Sequence, residues 1–260
     1  MPNHVKNKVV TGSQKEIDRF LKEISSETSQ FDFNRIVPMP QTLYIQSGSR
    51  ADDCLLLTLV FQFSNPVNPI NTDIPLEILQ ELDPYGFKQL LNQQEFIKRV
   101  DSCKKWLNDL PDQEKEEEPQ YLFDGSSSPK TKQDAFYLGK TMLNNIQQYG
   151  AKDWYDWHCI NWGTKWSAYE ISIERPSADR AELEFQTAWS MPEKIFLEIV
   201  KRYLSLHFDG AYADEDIGHN CGKWAGVQGK YYEIEPLDFK NAVHFSCEVW
   251  GVSPEEYLMD

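Results

Sequence analysis

The sequence predicts an α+β fold: an antiparallel sheet with helices on one face, plus a mostly helical N-terminal and middle region. Two stretches, Ala168 to Glu174 and Ala181 to Ala188, alternate apolar and polar residues as half-buried strands do. Other stretches repeat apolar residues at helical spacing, as Ile17, Phe20, Leu21 and Ile24 do. At 260 residues and 13 % aromatic, the chain can build one large domain or two modest ones, with Phe, Tyr and Trp supplying much of the core.

Asn3 to Val10 reads as a short strand closed by Thr11-Gly12, and Ser13 with Glu16 forms a capping box for the helix that follows. Phe31 to Val37 alternates like a strand until Pro38-Met39-Pro40 stops it, because proline cannot donate to a ladder. The opening is therefore β-α-β. Leu55 to Phe61 is a concentrated apolar run whose length suits a buried strand or a short core helix equally. Ile74 to Leu110 is mostly helical with a turn at Asp83-Pro84-Tyr85-Gly86. It runs into an acidic, solvated loop carrying Glu114, Glu116, Glu117 and Glu118, then Gly125-Ser126-Ser127-Ser128-Pro129.

Asp134 to Gln148 is a second amphipathic helix that Gly150 is placed to end. A boundary near Gly150 divides the chain into 1–150, a β-α-β with a helical insertion, and 151–260, two parts also compatible with one compact unit. Beyond it, Arg175 to Asp179 separates the two alternating stretches as a hairpin turn does. Ser190 with Glu193 forms a capping box before the stripe Ile195, Phe196, Ile199, Val200, Tyr203 and Leu204. Strands near His207 to Ala213 and Gly229 to Ile234, and a last helix from about Asp238 to Trp250, complete the chain. Strand, strand, helix, strand, strand is most of a ferredoxin-like layer, an antiparallel sheet with one face under helices.

Twenty-six basic against forty-one acidic side chains leave a formal charge of −15, which repels phosphate backbones and disfavours direct nucleic-acid binding. No stretch approaches the roughly 20 apolar residues that span a bilayer, and Met1 to Lys6 has no apolar leader region, so the protein is expected to be soluble and cytoplasmic. Five scattered cysteines without a C-x-x-C pair predict reduced thiols.

Three constellations carry chemistry. Trp154, Tyr155, Trp157, Asn161, Trp162, Lys165 and Trp166 crowd into thirteen residues, which reads either as a recognition surface or as a core segment beside a tight turn at Gly163. Tyr212, Asp214, Glu215, Asp216 and His219 offer hard oxygen donors next to a histidine, although on a strand only Asp214 and Asp216 share a face. The alternative there is an acidic turn. His158-Cys159, His219-x-Cys221 and His244-x-x-Cys247 do not follow a known zinc spacing. No phosphate-binding glycine loop, G-x-S-x-G, H-E-x-x-H or dinucleotide fingerprint is present. No metal, no cofactor and no catalytic residue is expected.

Met1-Pro2-Asn3 with Phe31-Asp32-Phe33-Asn34-Arg35-Ile36-Val37-Pro38-Met39-Pro40, Trp154-Tyr155-Asp156-Trp157 with Asn161 to Trp166, and Thr187-Ala188-Trp189 with Tyr212 to Gly218 together resemble the YubB-like family of phage and plasmid proteins with a ferredoxin-like C-terminal domain. Residues 49–129 depart from that pattern. The resemblance implies an origin in a mobile genetic element and no particular chemistry. Together with charge and aromatic content it leads to a non-catalytic accessory protein. Such a protein would antagonise host defence by binding a host protein, for example a nucleic-acid-binding defence effector. The alternatives are a binder of a nucleotide-like small ligand and a metal-dependent enzyme using residues 214–219.

Overall fold

The structure, a computed structural model, describes residues 3–12, 14–63, 93–112, 119–234 and 238–257. Alternation in β2 (Tyr169–Ser177) and β3 (Arg180–Ala188) gives the expected antiparallel hairpin. Ala181, Leu183 and Phe185 of β3 are buried while Glu182 and Glu184 lie on the other face. β1 (His4–Gly12) pairs antiparallel with β3 on one side and with β4 (His207–Asp214) on the other. β5 (Cys221–Val227) and β6 (Lys230–Ile234) extend the sheet to the order β2-β3-β1-β4-β5-β6.

With α1 (Gln14–Ile24) after β1 and α6 (Glu193–Arg202) between β3 and β4, the path β1-α1-β2-β3-α6-β4 is a complete ferredoxin-like arrangement. The strand and helix that open the chain, read above with an N-terminal β-α-β, belong to the same sheet as residues 169–234. Helix and sheet meet through aromatic edges: Phe20 lies 5.0 Å from Tyr203 and 5.6 Å from Phe208, and Phe196 stacks on Trp224 at 4.3 Å. The last helix, α7 (Phe239–Trp250), lies where it was expected and is capped by Asp238. It covers the opposite face, where Phe245 and Val249 pack on Ala213, because Ala213 points away from the side taken by Phe208.

These elements form one compact unit, Met1–Met39 with His158–Asp260, and Pro40–Trp157 forms a second. The second unit is helical: α2 (Ser49–Phe63), α3 (Gln93–Asp109), α4 (Lys132–Tyr149) and the start of α5 (Trp154–Asn161). The apolar run 55–61 is helix, with Cys54, Leu55, Leu56, Leu57, Leu59 and Val60 all buried, so it has no polar face to betray a period. α4 carries a full capping box, Thr131 with Asp134, and ends on Gly150 at φ 70. Gly139 lets α4 lie against α2, since a Cβ there would sit 2.2 Å from the Cys54 carbonyl oxygen.

Two expectations are corrected, and one strand is added. Residues 31–37 form no strand: Asp32 caps a 3-10 turn, Phe33–Arg35, its Oδ1 accepting from Asn34 N at 2.9 Å. The apparent alternation comes from Phe31 and Phe33, both driven into the core on either side of the capping Asp32. Ser190 is not a cap: α6 starts after Pro192 without a side-chain cap, and Ser190 Oγ donates instead to the Gly163 carbonyl. β5 occupies residues to which no element was assigned above, because glycines hide its strand character. Gly226 is needed there, as a Cβ would meet Val200 at 2.3 Å. The cap at Ser13, the helical reading of 74–92 and the acidic run 114–118 lie outside the described residues. Among the described residues, no helix is long and apolar enough to cross a membrane.

Candidate functional site

The aromatic segment divides between core and surface. Asp153 Oδ1 accepts from Asp156 N at 3.1 Å and so caps α5, whose first turn carries Trp154 and Tyr155 half-buried and in edge contact at 5.9 Å. Trp157 is buried, and Trp154, Tyr155 and Trp157 all belong to the Pro40–Trp157 unit. Trp162 is a core residue of the sheet unit: it stacks on His158 at 3.6 Å, meets the edge of Phe33 at 5.6 Å, and its indole N–H donates to Val37 O at 2.9 Å. Asn161 beside it is half-buried.

Lys165 and Trp166 instead join a residue that sequence reasoning did not single out. Of the eight tryptophans, only Trp166 and Trp189 are exposed, at 37 % and 42 %. The Lys165 ammonium lies 4.9 Å from the Trp166 ring and 4.8 Å from the Trp189 ring, a cation held between two indoles. Trp166 leans on Tyr169 at 6.1 Å. The Tyr169 hydroxyl donates to Thr187 O at 3.0 Å, and with its one proton so used it accepts from His4 Nδ1 at 2.6 Å. Burial pushes the Tyr169 phenol up to about 12.

Trp189 sits at φ 72, in the left-handed region that costs a residue with a Cβ about 1–2 kcal/mol. Backbone bonds hold it there: its N–H donates to Asn3 O at 2.9 Å and its carbonyl accepts from Asn220 Nδ2 at 3.0 Å. A tryptophan just past a strand end, before Ser190-Met191-Pro192, is the only sequence signal for it.

The acidic loop adjoins this surface through Asn220. Asp214 is buried and engaged on both oxygens: Oδ1 accepts from Asn3 Nδ2 at 3.2 Å and from Asp216 N at 2.9 Å, and Oδ2 accepts from Asn220 Nδ2 at 3.1 Å. It is the keystone of a turn. Glu215 and Asp216 are exposed, Glu215 exchanging backbone and side-chain bonds with His4, and His219 N donates to Asp216 O at 3.0 Å. Tyr212 stands apart, on the α6 side of the sheet with its hydroxyl over Gly222, where burial raises its pKa. Cys159, Cys221 and Cys247 take part in no disulfide, and among the described residues no group of three His, Cys, Asp or Glu is placed to hold a metal.

A second charged cluster, in the Pro40–Trp157 unit, escaped sequence reasoning because Asp52 is far in sequence from Lys152, Asp153 and Asp156. Lys152 Nζ lies 3.1 Å from Asp153, 3.3 Å from Asp52 and 3.5 Å from Asp156, with the lysine side chain only 8 % exposed. Three carboxylates around one ammonium leave two negative charges in excess. Burial, opposed by Lys152, raises Asp156 to about 6 and also raises Asp52. Burial pushes Lys152 down, but its three carboxylate neighbours push it up by more and keep it charged.

Residues 159–253 match the family described as a ferredoxin-like domain in Api92-like protein, a span that includes β2 to α7 and leaves out β1 and α1. A crystal structure of protein api92 from Yersinia pseudotuberculosis aligns with 92 % of this chain and 100 % of its own, at 11 % identity and a TM-score of 0.39, a likeness too slight to carry an argument. Among curated proteins, none matches the chain.

Proposed function

We propose that this protein is a non-catalytic accessory protein of a phage or plasmid, cytoplasmic in the host, that antagonises a host defence system by docking on a host protein, with Trp166, Lys165 and Trp189 as its anchor. The observation that carries the docking surface is the pair of exposed indoles, one presented by a strained backbone. Bound strain of this kind persists where the surroundings over-determine it, and it concentrates at sites of recognition. Tryptophan is enriched at binding hot spots, where it fills a partner pocket. The exposed Glu215 and Asp216, and a net charge of −15, favour a partner with a basic face, such as the nucleic-acid groove of a defence effector. The mobile-element origin rests on the resemblance of the three sequence blocks to YubB-like proteins.

The test is capture of host proteins by the tagged full-length chain and by a Trp166→Ala, Trp189→Ala double variant, at low and high salt. A stoichiometric partner held by the natural sequence and lost by the double variant supports the reading. The expected loss is about 2 kcal/mol or more, roughly 30-fold in affinity. Equal capture by both proteins rejects the anchor.

The same surface supports a second reading, a nucleotide-like ligand, because an indole face stacks on a base and Lys165 can meet a phosphate. Stabilisation of the natural chain by a nucleotide, absent from the double variant and unaccompanied by a protein partner, would favour it.

A further inference from the structure

We propose that the Pro40–Trp157 unit carries a binding site for a small neutral saccharide, in a cavity of about 370 Å³ on α4. The cavity is built on one helix face. Tyr137, Thr141, Asn144, Asn145 and Gln148 fall at i, i+4, i+7, i+8 and i+11 and line it, beside the apolar stripe of Leu138, Met142 and Ile146. Asn144 and Gln148 are exposed, Tyr137 and Thr141 half-buried and Asn145 buried. This face carries amides, a hydroxyl and a phenol, and none of the residues lining the cavity is charged.

The hydrogen-bonding state of the wall selects the ligand. Asn145 is 2 % exposed and fixed by Thr42, whose Oγ1 donates to Asn145 Oδ1 at 2.7 Å and whose carbonyl accepts from Asn145 Nδ2 at 2.8 Å. Thr141 Oγ1 donates to Tyr137 O at 2.9 Å, and Gln41 Nε2 donates to Phe123 O at 3.3 Å. Both threonine hydroxyls have spent their single proton, so they offer the cavity lone pairs only, while Gln41, with Oε1 and a second Nε2 proton, and Gln120 both accept and donate. Such a wall asks for a neutral ligand whose groups donate and accept at once, as hydroxyls do. Asn144 and Gln148, exposed at the rim, supply donors and acceptors together.

The aromatic component points the same way. Phe123 and Tyr137 meet edge to face, 6.1 Å apart and inclined at 67°, so the two rings form no parallel slot in which to sandwich a base. An anion entering this cavity would lose its hydration with no cation to replace it, a cost that excludes phosphorylated and acidic sugars. The volume lies at the low end of ligand sites, which range over about 300–1,000 Å³, and fits a mono- or disaccharide.

Calorimetry and ligand-observed NMR on the full-length chain, with neutral mono- and disaccharides, their phosphorylated and uronic-acid counterparts, and nucleosides, test the proposal. Saturable binding of a neutral sugar tighter than about 10 mM is expected, with its phosphorylated form at least about tenfold weaker. An Asn144→Ala, Gln148→Ala double variant, altering only rim side chains, should lose about tenfold or more at unchanged melting temperature, while Trp166→Ala, Trp189→Ala leaves sugar binding intact. Failure of every neutral sugar to bind overturns the proposal. So does preference for a nucleoside or a charged sugar, or an affinity that the Asn144, Gln148 double variant does not change.

Discussion

Trp189 combines two costs, an exposed indole and a left-handed backbone, and separating them tests what each is for. Replacing it with asparagine, which tolerates positive φ, relieves the backbone while deleting the indole. Trp189→Asn should therefore hold or raise thermal stability, by up to about 1 kcal/mol, and weaken partner capture. A loss of stability in thermal melts would show that the indole is there for packing. Asp156 offers a second test at this scale. Its folded pKa of about 6 is raised from 3.8, so between those values the folded state binds more protons than the unfolded one, and stability falls as pH rises through about 4 to 6. Asp156→Asn removes that slope. In melts across pH 4 to 8 the variant should gain on the natural protein as pH rises, most of the gain appearing below about pH 6.5. The opposite trend would mean that Asp156 is ionised and stabilising.

Elements were legible in the sequence where pattern and cap agree. The β2–β3 hairpin alternates cleanly, α4 has Thr131 and Asp134 at one end and Gly150 at the other, and α7 has Asp238. Legibility failed where tertiary packing sets the requirement. Gly222 and Gly226 make β5 look like a turn, yet they are small because Tyr212 and Val200 lie across them. The Lys165, Trp166 and Trp189 cluster was half legible: the crowding of tryptophans pointed to residues 154–166, but Trp157 and Trp162 went to cores, and their place at the surface was taken by Trp189, brought in by sheet pairing. A direct test at this level is Gly139→Ala. A methyl placed 2.2 Å from the Cys54 carbonyl must push α2 and α4 apart, so urea unfolding should show a loss of about 1–3 kcal/mol despite the better helix propensity of alanine. A neutral or stabilising result would show that the two helices are not packed so closely.

For the whole molecule, the central place of β1 matters most. It fills the position between β3 and β4 over the length of the strand, so the matched span 159–253 on its own leaves two facing strand edges unpaired. A fragment of residues 158–260 is expected to aggregate or stay unfolded, and circular dichroism with light scattering would decide it. A monomeric fragment with a cooperative melt would mean that β1 is dispensable. The charge of −15 acts at this scale too: association with a basic partner should slow steeply with added salt, more than dissociation quickens, as stopped-flow mixing would measure.

That same strand orders events during synthesis. β1 leaves the ribosome early, yet neither neighbour exists until residues 180–188 and 207–214 have been made. At about 5–20 residues per second, it waits on the order of ten seconds or longer with both edges open. Over that interval the helices of residues 40–157 are already available to fold, while the sheet can close around β1 only once residue 214 has been made. A stalled or shortened nascent chain is therefore a ready target for chaperones and proteases.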